Sequence, residues 1–101
     1  MTKSRIIIQK EKISQFCQQH HIEKLSLFGS VLRDDFQPGS DVDVLVEFEP
    51  GHVPGFIKLY EIEQNLTEIL DGHQPDLVTP KFLNHRIREK ILSQAEVQYA
   101  A

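Results

Sequence analysis

The chain has 101 residues, 40% of them hydrophobic and 26% charged, with a formal net charge of −4. That is an ordinary globular composition with room for one core, and no apolar run approaches the roughly 20 residues that a membrane span needs. The acidic balance argues against holding long nucleic acid through its phosphates alone; a basic macromolecular partner, or a small nucleotide held through metal, suits it better.

The N-terminus, Met1 to Ile8, has two basic residues and three consecutive apolar ones, too few for a signal peptide. A single Cys17 excludes an internal disulfide and suits a reducing compartment, so the expected location is the cytoplasm. Residues 1–101 read as a single domain, without repeat, linker or low-complexity tract. Ile6, Ile13, Phe16 and Cys17 recur at helical spacing and predict a first helix ending near His20-His21. Lys24 to Phe28 alternates Leu25 and Leu27 with polar residues, which predicts a strand. Gly29-Ser30 then opens a short helical stretch, and a polar turn through Pro38-Gly39-Ser40 leads to Asp41. Val42 to Phe48 is the strongest strand, β-branched and bounded by Pro38-Gly39 and Pro50-Gly51. Phe56, Leu59, Ile62 or Glu63, Leu66, Ile69 and Leu70 mark an amphipathic helix that Gly72 stops. Pro75 to Val78 is a brief strand. Thr79-Pro80 is a cap and first-turn pair for a helix with Leu83, Ile87, Ile91 and Ala95 inward, followed by a last short strand. Strands separated by helices indicate a small α/β sheet flanked by helices.

The chemistry concentrates in one segment: Gly29-Ser30-Val31-Leu32-Arg33, then Ser40-Asp41-Val42-Asp43-Val44-Leu45-Val46. A helix start presents unpaired backbone N–H groups, which suit phosphate, and Gly29 lets a ligand approach the backbone closely. Asp41 and Asp43, at i and i+2 of a strand, stand about 6.5–7 Å apart at Cα and point the same way. Both can reach a small cluster of hard cations, and Mg²⁺ takes such oxygens together with substrate phosphates. Solvated charge at the start of an edge strand is the plainer account, but aspartate is disfavoured in strands, and two of them interrupt a run of Val and Leu.

Joined at this spacing, the two halves resemble the nucleotidyltransferase superfamily that includes DNA polymerase beta, and in particular its small stand-alone members, the minimal nucleotidyltransferases (MntA-like antitoxins). The resemblance runs from about Leu25 through Asp76. Many relatives carry a small residue before the arginine and a glycine after it, where this chain has Leu32 and Asp34. The resemblance implies a small mixed β-sheet flanked by helices, a palm-like core, with Asp41 and Asp43 as catalytic metal ligands for two Mg²⁺ ions. It further implies a third acid on a neighbouring strand. Asp76, heading the short strand after the long helix, is the candidate, ahead of Asp71 beside Gly72. Ser30 would use its hydroxyl and backbone N–H on the β- or γ-phosphate of ATP. Arg33, one turn later, could reach the same phosphates or pair with Asp34, Asp35 or Glu47.

His20, His21, His52, His73 and His85 show no metal-ligand spacing and read as surface or packing residues. The basic residues Lys81, Arg86, Arg88 and Lys90 read as a solvated face of the last helix. Larger relatives add domains that present a second substrate, and little here exceeds the core. The resemblance therefore implies a protein acceptor: a HEPN-domain ribonuclease toxin, held in a hetero-oligomer and silenced by transfer of AMP from ATP to a tyrosine. The alternative from a different class is a non-catalytic antitoxin that silences its partner by covering it.

Overall fold

Alternation in the two central strands sets the layers. Ile22–Phe28 (β1) and Val42–Phe48 (β2) pair antiparallel, with Leu25 opposite Val46 and Leu27 opposite Val44. Successive strand residues face opposite sides, so these four share one face. Lys10–Gln19 (α1) covers that face with Ile13, Phe16 and Cys17, and Phe56–Ile69 (α2) with Ile62 and Leu66; Leu70 closes the core beyond its end. Pro75–Val78 (β3) adds parallel to β2, and Glu96–Ala100 (β4) antiparallel to β1, giving a mixed sheet of order β3-β2-β1-β4. Asp43 and Leu45 belong to the opposite face. This computed structural model describes residues 6, 8–34 and 36–101, with the Phe82 side chain excepted. The stretch from Met1 to Arg5, Ile7 and Asp35, which entered the signal-peptide and Arg33 readings, lie outside the described residues.

Three expectations are corrected. Ile6 packs against the core but precedes α1, which starts at Lys10 behind an extended Gln9 (φ −70°, ψ 120°). The β-branched run before it resists helix. Phe56 belongs to α2 yet is 92% exposed. At 100° per residue it lies about 120° around the helix from Ile62, outside the stripe that meets the sheet. Thr79 caps nothing with its side chain: Pro80–Phe82 is one 3₁₀ turn, and Leu83 is extended. The helix proper, His85–Gln94 (α3), is capped by Asn84, whose Oδ1 accepts from the Ile87 N–H at 3.0 Å. It buries no residue, and Ile87 is 47% exposed.

Cys17 is fully buried, and burial pushes its thiol up to about 12 from an ordinary 9.0. Near pH 8 that leaves roughly a thousandfold less thiolate than an exposed cysteine carries. In the native chain Cys17 should therefore take up a thiol reagent orders of magnitude more slowly than in urea, where it should label at once; a time-resolved thiol assay checks this.

No helix among the described residues is long and apolar enough to cross a membrane.

Candidate active site

β1 ends at Phe28, and Gly29 turns the chain with φ +77°, a left-handed conformation that side chains resist. Gly29–Leu32 is a single 3₁₀ turn, anchored by buried Val31 and by Leu32, which packs against the core. The Arg33 N–H donates to the Ser30 carbonyl at 2.9 Å and closes it. A helix start was expected here; a four-residue turn supplies individual N–H groups rather than a macrodipole. Gly29 is required a second way: a Cβ there would run into the Asp43 carboxylate, with its Cγ only 3.1 Å off. The Asp43 side chain thus lies directly against the glycine turn.

The sheet register assembles the acids. Phe28 of β1 pairs with Asp43 of β2, and Asp43 pairs with Asp76 of β3. Neighbouring strands are about 4.8 Å apart, so the two aspartates stand side by side on the face away from α1 and α2. Asp41 is exposed and sits one residue before β2; the Val42 N–H next to it donates to the Gln74 carbonyl at 2.9 Å, where β2 meets the approach to β3. Burial raises the Asp43 carboxyl above its ordinary value; Asp76 and, less strongly, Asp41 raise it further, while the Arg33 guanidinium pulls the other way. Asp76, Asp41 and Arg33 thus all act on Asp43. Asp71 does not join them. It stands in a left-handed turn (φ 59°) after α2 and lines a cleft of about 760 Å³ with Phe36, Pro38 and His73, which none of Gly29, Ser30, Asp41, Asp43 or Asp76 borders.

Carboxylate oxygens from two adjacent strands, beside a turn that a Cβ would fill, fit a hard divalent cation and the phosphates it carries. The three aspartates are more widely spaced than a closed ligand set. Among the described residues, only His21, Glu49 and His52 bring three such ligand atoms within 4.8 Å of one another.

One positioning residue escaped the sequence reading. His73 Nδ1–H donates to the Ser40 carbonyl at 2.8 Å, and its ring packs against Phe36 with centroids 4.9 Å apart. It fixes the backbone immediately before Asp41, across a separation no local pattern encodes. His20 is a packing residue, buried edge-on to Phe16, and burial lowers it below the ordinary 6.5. His21 and His52 are exposed, as surface residues were expected to be, and the fold brings them together with Glu49.

A mixed sheet with α1 and α2 on one face, and acids beside a glycine turn on the other, places the chain in the α/β class. The chain belongs to the nucleotidyltransferase domain family, whose sequence model matches residues 10–97. It is similar to the protein adenylyltransferase MntA of Thermococcus cleftensis, 34% identical over 73 residues, which covers 72% of this chain and 71% of that one. It is also similar to a solved structure assigned as a minimal nucleotidyltransferase, with a TM-score of 0.69, 31% identity and 85% of each chain covered. The fold is shared with a complex of a tri-AMPylated Shewanella oneidensis HEPN toxin and its MNT antitoxin, at TM-score 0.62 and 21% identity, covering 91% of this chain and 70% of that one. The chain is thus a nucleotidyltransferase with the sheet and helices of that fold.

Proposed function

We propose that this chain is an antitoxin-type protein adenylyltransferase that moves AMP from ATP to a tyrosine hydroxyl of a HEPN-family ribonuclease toxin, and so silences it. The observation that carries the reading is the register pair Asp43–Asp76, with the Asp43 carboxylate packed on Gly29. The relative in Thermococcus cleftensis named a protein adenylyltransferase, and the AMPylated toxin in the Shewanella oneidensis complex, support the reaction and the partner. Gly29 and Ser30 would hold the β- and γ-phosphates by backbone N–H groups and the Ser30 hydroxyl. Arg33, already acting on Asp43, would balance charge on the same phosphates. Asp41, Asp43 and Asp76 would hold Mg²⁺, which when bound neutralises phosphate charge and steadies the leaving oxygen. Asp76 accepts the tyrosine proton as the phenolate oxygen bonds to the α-phosphorus; the bond from that phosphorus to the bridging oxygen breaks, and pyrophosphate leaves. The protein forms no covalent intermediate, so its contribution is positioning and charge.

The test is the intact mass of the co-expressed toxin after incubation with the chain, Mg²⁺ and ATP. Gains in AMP units that vanish in Asp41→Asn/Asp43→Asn support the reading. An unmodified toxin that the mutant still silences would replace it with silencing by occlusion. His73→Ala should slow the transfer about fivefold, since one hydrogen bond holding the Asp41 approach is worth about 1 kcal/mol. Single-turnover rates at saturating ATP measure it.

A further inference from the structure

The far end of the sheet carries a cluster that the proposed reaction does not use. His21 directly precedes β1 and Glu49 directly follows β2, and the antiparallel pairing of Ile22 with Phe48 makes them neighbours. The Glu49 N–H donates to the His21 carbonyl at 2.8 Å. Pro50-Gly51 then forms a type II turn: Gly51 has φ +81°, and the His52 N–H donates to the Glu49 carbonyl at 3.0 Å. The turn folds His52 back onto His21, with ring centroids 3.9 Å apart and planes 16° from parallel. One nitrogen from each imidazole and one Glu49 carboxylate oxygen then lie within 4.8 Å of one another.

Two imidazole nitrogens and one carboxylate are the set zinc takes when three side chains hold it and a fourth position stays open. Imidazole also favours late first-row divalent ions over Mg²⁺, which prefers oxygen. Tetrahedral bonds of about 2.0–2.1 Å place donors about 3.4 Å apart. Rotation of two exposed histidine side chains out of their stack, with that of a half-buried glutamate, would close the remaining gap while the hydrogen-bonded backbone stays in place. The site is also too far away to share an ion with the acids. The six residue steps of β1 from Ile22 to Phe28 separate its ladder position from that of Asp43, about 20 Å at strand rise.

We propose that His21, Glu49 and His52 form a Zn²⁺-binding site at the end of the sheet opposite the acidic cluster, with a fourth position open to solvent. Bound zinc would pin the loop leading into α2, whose first turn exposes Phe56 and Ile57, the latter by 83%.

The experiment titrates the intact, untagged chain with Zn²⁺ by calorimetry and follows its melting temperature, with Mg²⁺ in a parallel series. One equivalent should bind in the micromolar range and raise the melting temperature. His21→Gln and His52→Gln should each weaken binding at least tenfold while melting like the wild type without zinc. His85→Gln and Asp41→Asn/Asp43→Asn should bind zinc as the wild type does. Absence of saturable binding, unchanged affinity in both histidine variants, or loss of the zinc equivalent in the aspartate variant would each overturn the site. The last result would place the zinc in the acidic cluster.

Discussion

Asp43→Asn should cut AMP transfer roughly a thousandfold and, in the same protein, raise the melting temperature measured without divalent metal. The first effect follows from removing a proposed metal ligand, whose contribution to balancing transition-state charge would be worth several kcal/mol, at about 1.4 kcal/mol per decade of rate. The second follows from the environment of the carboxylate. Burial, Asp76 and Asp41 all raise the Asp43 carboxyl above its ordinary 3.8, and Arg33 offsets only part of this. The folded chain therefore holds that proton more tightly than the unfolded chain does. Stability falls as pH rises from 3.8 through the raised folded value, above which the penalty is complete. Asparagine keeps the size of the side chain and removes the charge, so the gain should be present at pH 7 and shrink toward zero as pH drops to the ordinary carboxylate range. Calorimetric melting across that range, beside a label-transfer assay at neutral pH, reads both. Lower stability together with retained transfer would mean that Asp43 is a structural residue and that the acids lie elsewhere.

Gly29→Ala should be the most damaging glycine substitution in the chain. A side chain in the left-handed region costs about 1–2 kcal/mol. Gly51 (φ +81°) and Gly72 (φ +88°) share that handedness, but a Cβ at either meets nothing within 4 Å. At Gly29 the new methyl also lands on the Asp43 carboxylate, which must move from its place against the turn. A total near 2–3 kcal/mol lowers melting by roughly 10–20 °C in a domain of this size, against about half that for Gly51→Ala. Transfer should fall at least about 100-fold in Gly29→Ala at temperatures where it is still folded, because the carboxylate has moved. Equal melting of the two variants would show that the Asp43 contact yields cheaply.

Much of the architecture was legible because its signals are local. β2 and β3 run as read, Val42–Phe48 and Pro75–Val78, since proline and glycine pairs or a helix end bracket short β-branched runs. The misreadings share one cause. Phe56 and Ile87 have apolar side chains at helical spacing, but spacing does not say whether a neighbouring element arrives to cover them, nor, for Ile6, whether a residue that packs on the core belongs to the helix. The cap of α3 was misplaced because Thr79-Pro80 matches a helix start in composition, whereas Asn84, five residues on, has the geometry to accept from Ile87.

By itself the sequence determined the glycine turn, the strand that carries Asp43 and the alternation that gives the sheet two different faces. Each depends on sterics and side-chain periods within a few residues. Only the tertiary structure decided that Asp76 rather than Asp71 stands beside Asp43, that His73 holds the approach to Asp41, and that His21, Glu49 and His52 meet. Those neighbours are set by strand register, and register is chosen when apolar faces far apart in the chain are buried together.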